Sequence, residues 1–178
     1  GKSEGYARWA KKYNLKEMSK TLIFLQEKKI GSIKEMQERV DAATARYHEL
    51  GDSIKAAEKR MAEIAVLRAH IVNYAKTRPV FDGYKAARYS KKYLSEHEAE
   101  LATYRAARAT MNELLDGAKL PKMTDMKKSR QELAGKKKAL YAEYRKAQAD
   151  MRQAVAIKAN IDHLLGVTDG RENKAQER

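Results

Sequence analysis

The chain has no cysteine, which excludes disulfides and thiolate metal sites. It has no apolar run near the roughly 18 residues that a membrane span requires, and no h-region marks a signal peptide. These absences suit a cytoplasmic chain with no membrane insertion. Two prolines and nine glycines in 178 residues leave little to interrupt the backbone, so long elements are expected. With one Trp and two Phe, apolar packing falls to Ala, Leu, Ile, Met and Tyr, which predicts thin helix–helix seams more than one thick core. Charge is what the chain has in quantity: 35% of its residues are charged and the net charge is +14. Ala, Lys, Glu, Arg and Leu dominate, and all favour helix. The length suits one domain or two small ones. The abrupt start at Gly1 reads as that of a piece cut from something longer.

Capping signals and periodicity divide the chain. Asn14, followed three residues later by Glu17, reads as a helix N-terminus, with residues 6–13 as a short preceding segment. Leu15, Met18, Leu22 and Leu25 then share one face. Ile30-Gly31 ends that helix, and Ser32 with Glu35 forms an S-x-x-E capping box. From there Ile33, Val40, Tyr47, Ile54 and Met61 recur every seven residues. Met36, Ala43, Leu50, Ala57, Ile64 and Ile71 form the companion series, so the two are the a and d positions of a coiled-coil seam. The helix is expected to end near Lys76, because Pro79 disfavours helical geometry at Arg78. "TRPVFDG" then reads as a loop and Asp82 as the next cap. That next helix ends near Asp116-Gly117, and "AKLPKMT" is a second loop. In the last helix Met126, Leu133, Leu140, Ala147, Ala154 and Ile161 repeat every seven. The predicted fold is all-α: an elongated antiparallel helical bundle or coiled coil of about three long helices over 32–165. Short N-terminal helices over 1–31 precede it and a disordered tail over 166–178 follows.

The charge is unevenly spread. Residues 120–165 hold eleven Lys and Arg against five Asp and Glu, and residues 1–31 hold eight against three, whereas 32–77 is nearly balanced. Lys127, Lys128, Arg130, Lys136, Lys137 and Lys138 make the densest cluster. A surplus of this kind favours a nucleic acid backbone, acidic lipid or an acidic partner. An amphipathic membrane helix is the weaker reading, because the apolar stripes lack bulky Trp, Phe and Leu. Lys85, Arg88, Lys91 and Lys92 form a second basic set, inside "YKAARYSKKY" at 84–93, where three tyrosines interleave with the bases. On one helix at about 100° per residue, Tyr89 and Tyr93 point to the arc opposite the bases and only Tyr84 shares theirs. A stacking platform needs aromatics and cations on one surface, and this stretch does not supply it.

No catalytic constellation is visible. His48, His70, His97 and His163 are far apart, and "HEAE" at 97–100 lacks the second histidine of H-E-x-x-H because position 101 is Leu. There is no Gly-rich phosphate loop and no nucleophile elbow. No cofactor is expected in this sequence.

Three stretches carry a resemblance: "YARWAKKYNLKEMSKTLIFLQE", "AEKRMAEIAVLRAHIVNYAKTRPVFDGYKAARYSKKYLSEHEAE", and "LPKM" with "LYAEYRKAQADMRQAVAIKANIDHLLG". Across nearly all of residues 6–166 the chain resembles the helical C-terminal region of bacterial relaxase (mobilisation nuclease) proteins of conjugative and mobilisable elements. That family nicks one DNA strand at a transfer origin, using an N-terminal domain with a tyrosine nucleophile and a histidine cluster for a divalent metal. The resemblance implies that the nuclease domain and its metal lie outside this sequence and that none of its ten tyrosines is the nucleophile. It also implies a non-catalytic accessory region in plasmid or transposon transfer, with DNA as a non-specific partner or with relaxosome and coupling proteins docked on it. The alternative is a coiled-coil module for protein interaction or self-association, without direct DNA contact.

Overall fold

The computed structural model describes the backbone of residues 2–176 and the side chains of Glu4 and of residues 7–166. Five helices follow one another: α1 (Lys2–Glu27), α2 (Ile33–Ala86), α3 (Lys91–Glu96), α4 (Glu98–Leu115) and α5 (Met123–Gln176). No strand occurs among the described residues, so the chain is all-α. The tail expected to be disordered spans 166–178; the α5 backbone continues through it to Gln176, and the side chains of residues 167–178 lie outside the described ones.

Helix ends explain the connections. At the end of α1 the Ile30 N–H donates to the Leu25 carbonyl at 2.9 Å and the Lys29 N–H to the Gln26 carbonyl at 3.2 Å. This is a Schellman motif, with Lys29 left-handed at φ 53°. Ile30, next after it, packs against the core cluster that includes Phe24 and Met36. The capping box opens α2 as expected: the Glu35 N–H donates to Ser32 Oγ at 3.1 Å. The Glu35 carboxylate reaches one residue further back than the usual box and accepts from the Gly31 N–H at 2.7 Å.

Two expected breaks do not occur. Asn14 lies inside α1, which runs without interruption from Lys2. Pro79 lies inside α2, so 77–83 is helix and Asp82 is no cap; it sits 3.9 Å from Arg78, one turn back. A proline removes one helix hydrogen bond, and here neighbouring packing outweighs that loss. Thr77 and Tyr84 are buried on either side of it, and Phe81 stacks on Tyr104 with centroids 4.2 Å apart.

The helix ends instead at 87–90, in the middle of "YKAARYSKKY". A second Schellman motif closes it, with Tyr89 N–H to the Tyr84 carbonyl and Arg88 N–H to the Lys85 carbonyl, both 2.9 Å. Arg88 and Tyr89 are both left-handed, at φ 52° and 60°. The consequence reverses the tyrosine assignment: Tyr84 is buried at 8% exposure, whereas Tyr89 is 58% exposed.

The chain divides into two compact units, Gly1–Asp52 with Tyr141–Arg178, and Ser53–Leu140. In the first, Phe24, Met36, Ala154 and Ile157 form a core from α1, α2 and α5. Tyr47 meets Tyr144 while Met36 meets the later α5 residues, so these α2 and α5 segments run in opposite directions. In the second unit Ile64, Ile71, Met111 and Met126 make the core from α2, α4 and α5. Lys137 reaches back to Glu58 at 2.9 Å, giving the same opposed course there.

Candidate nucleic-acid interface

All ten basic residues singled out by the sequence lie in the unit Ser53–Leu140, but as two separate groups. Lys85 lies in the last turn of α2, Arg88 sits in the turn that follows, and Lys91 and Lys92 open α3. Lys127 to Lys138 lie on α5 alongside the α2 stretch that holds Glu58 and Ile64. Lys85 is about 40 Å further along α2 than Glu58, at about 1.5 Å per residue.

The four residues near the turn are differently engaged. Lys85 lies over the Phe81 ring, 5.1 Å from its centroid. Lys92 is 4.0 Å from Glu96, an exposed pair worth a few tenths of a kcal/mol, on the order of other i,i+4 pairs. Tyr93 does not lie with them as a free ring. Its hydroxyl donates to the Val80 carbonyl at 3.1 Å and its ring lies against Gly83.

On α5 the densest run in sequence is not a strip in space. With buried Met126 as the reference direction, Lys137 and Arg130 fall at about 20° and about 40° around the helix. Lys127 and Lys138 fall at about 100° and about 120°. Lys128 falls at about 200° and Lys136 at about 280°, so the lysines encircle the helix. Lys137, beside the seam, is consumed by its ion pair with Glu58.

What the structure does assemble is a groove between α2 and α5. Lys127 and Arg130 are joined there by Arg68, over a floor that includes Met61, Ala65 and Ala134; its volume is about 440 Å³. No carboxylate lines it, and among the described residues none of the three cations has an ion-pair partner. The 490 Å³ groove of the other unit differs, because Glu143 and Asp150 stand among its cations. Arg68 was not legible from sequence: it sits in a charge-balanced stretch, and only the pairing of α2 with α5 brings it to Lys127 and Arg130.

A second cationic surface was hidden by the misplaced break at Asn14. With α1 continuous, Trp9, Lys12, Tyr13, Lys16 and Lys20 keep one helical phase. All five fall within about 60° of Trp9. The Trp9 and Tyr13 rings stack, centroids 5.4 Å apart and planes 16° from parallel. The signal in sequence was the i,i+4 pair of aromatics followed by lysines at the same spacing.

Among the described residues, no group of three or more His, Asp or Glu is arranged to hold a metal ion, and no helix is long and apolar enough to cross a membrane. No protein-family model matches this chain, and neither a curated protein nor a solved structure matches it.

Proposed function

We propose that this chain is a non-catalytic helical accessory region of a DNA relaxase, holding DNA by its backbone during mobilisation or conjugative transfer in the cytoplasm. The observation that carries the DNA-holding part is the acid-free groove of Arg68, Lys127 and Arg130. Unpaired cations facing solvent displace counterions from phosphates, which gives affinity without sequence preference. The relaxase context rests on the resemblance of residue order over 6–166. In this reading each unit is a three-helix antiparallel assembly, and its role is to present cationic faces rather than to do chemistry. Fluorescence anisotropy of the chain with labelled duplex DNA across a salt series tests it. The expected result is affinity that falls steeply and linearly in log–log form, with little change between sequences. Absence of binding at low salt would reduce the +14 to a solubility surface.

A second reading has its own observation. Leu15, Met18 and Leu22 form an exposed stripe on α1, at 57%, 41% and 59%. The a/d seams of α2 and α5 are used within the chain, as the buried Met36, Leu50, Ala147 and Ala154 show, so self-association or docking of a transfer partner falls to this stripe. Light scattering over a concentration series, with Leu15→Glu and Leu22→Glu as controls, tests that reading.

A further inference from the structure

We propose that the Trp9–Tyr13 face of α1 is a binding site for single-stranded nucleic acid, with bases stacked on the aromatic pair and backbone phosphates held by Lys12, Lys16 and Lys20. The inference deepens the DNA-holding reading and rests on it, but it names a different surface and a different form of the ligand.

Trp9 and Tyr13 are 59% and 50% exposed, although large aromatics gain most by burial. They form an offset stack that does not enter the core, and about half or more of each side chain stays open to solvent. Lys12, Lys16 and Lys20 recur every fourth residue beside it, about 6 Å apart along the axis. Lys20 is paired with Glu17 at 3.1 Å yet its side chain stays 57% exposed. Among the described residues Lys12 and Lys16 have no ion-pair partner. Aromatics for stacking and cations for phosphates on one surface are the two parts of a single-strand site. Duplex DNA keeps its bases stacked on one another and offers none to the rings, so the face selects unpaired strands.

The chain contains one tryptophan, so its emission reports on this face alone. The test titrates the full chain with an oligothymidylate and, separately, with a mixed-sequence duplex, reading tryptophan emission together with anisotropy of the labelled nucleic acid. The oligothymidylate is expected to quench Trp9 without a blue shift, and the duplex to leave the emission nearly unchanged. Trp9→Ala should weaken single-strand binding by roughly five- to a hundred-fold and spare duplex binding. Because Trp9 is exposed, its truncation spares the core; helical circular dichroism checks this, and Trp9→Phe should recover part of the affinity. Oligothymidylate that binds by anisotropy without changing the emission overturns the proposal, as does equal quenching by the duplex. A blue shift on phosphatidylserine vesicles with no response to oligothymidylate assigns the face to a membrane surface and likewise overturns it. Duplex binding with an unresponsive Trp9 defeats this inference alone, whereas no binding of either strand form defeats the DNA-holding reading with it.

Discussion

The Tyr144 hydroxyl donates to the Tyr47 hydroxyl at 2.7 Å while the two rings stack with centroids 4.8 Å apart. Gln148 Nε2 approaches the same Tyr47 oxygen at 3.4 Å. Tyr47 is thus the acceptor of the group. Donation from Tyr144, and then from Gln148, lowers its proton affinity below the ordinary phenol value, and Tyr144, as donor, is raised. Tyr47→Phe leaves two donors without their acceptor and should lower stability. Tyr144→Phe keeps Gln148 on Tyr47 and should cost less. Urea denaturation of the two variants checks the order, and in Tyr144→Phe the Tyr47 titration should move back up.

Two glycines in α2 should respond oppositely to the same change. At Gly51 an added Cβ would lie 3.5 Å from a Tyr144 ring carbon, an ordinary contact. Gly51→Ala should therefore stabilise by about 0.5–1 kcal/mol through the lower entropy cost of helix. At Gly83 the Cβ would collide with the Tyr93 hydroxyl and displace the ring from its bond to the Val80 carbonyl. Gly83→Ala should destabilise by about 1–3 kcal/mol, the usual range for overpacking. Thermal melts of both variants provide the measurement.

Tyr104 should set an alkaline limit. Burial, and secondarily a hydrogen bond with the Tyr74 side chain, raise its pKa above the usual phenol value of about 10. The unfolded chain loses this proton first. The stability Tyr104 contributes is therefore full below the ordinary phenol value and is lost as pH rises through the raised native value. Tyr104→Phe should lose less stability than the parent chain between neutral and strongly alkaline pH. Denaturant midpoints across that window check it.

The basic residues along the α2–α5 pair should separate by function. Arg68, Lys127 and Arg130, changed together to Ala, should lower DNA affinity. The slope of log K against log salt should shrink too, by about 0.9 for each phosphate that is no longer neutralised. Lys137→Ala should leave that slope nearly unchanged and cost up to about 1 kcal/mol of stability, because its ion pair with Glu58 is partly exposed. A salt series on both variants decides whether the groove or the run of lysines meets the DNA.

The seams were legible because a seven-residue repeat is a long signal. Met36, Leu50, Ala57, Ile64 and Ile71 of one companion series are all buried, and Met126, Ala147 and Ala154 match them on α5. The breaks were less legible because they rest on single residues. Asn14 and Pro79 carry local preferences of about 1 to 3 kcal/mol, and contacts distant in sequence, such as Phe81 with Tyr104, outweigh them. The end of α2 had no glycine to mark it, since Arg88 and Tyr89 take the left-handed positions. The candidate site was legible only as composition. A run of lysines in sequence wraps around a helix, and the cations that share a groove come from different helices far apart in the chain, as with Arg68 and Arg130.

The order of the segments also bears on how the chain is made. The unit Ser53–Leu140 is one continuous stretch, whereas the other is split into two pieces that flank it. On a ribosome the continuous unit can close as soon as it emerges. Phe24 and Met36 must wait, uncovered, until Ala154 and Ile157 have been synthesised. Non-local closure is slow and leaves apolar surface open to other chains. Within this chain α1 is thus the segment left longest without its partners, and a stop codon placed after Leu140 would strand it without its core.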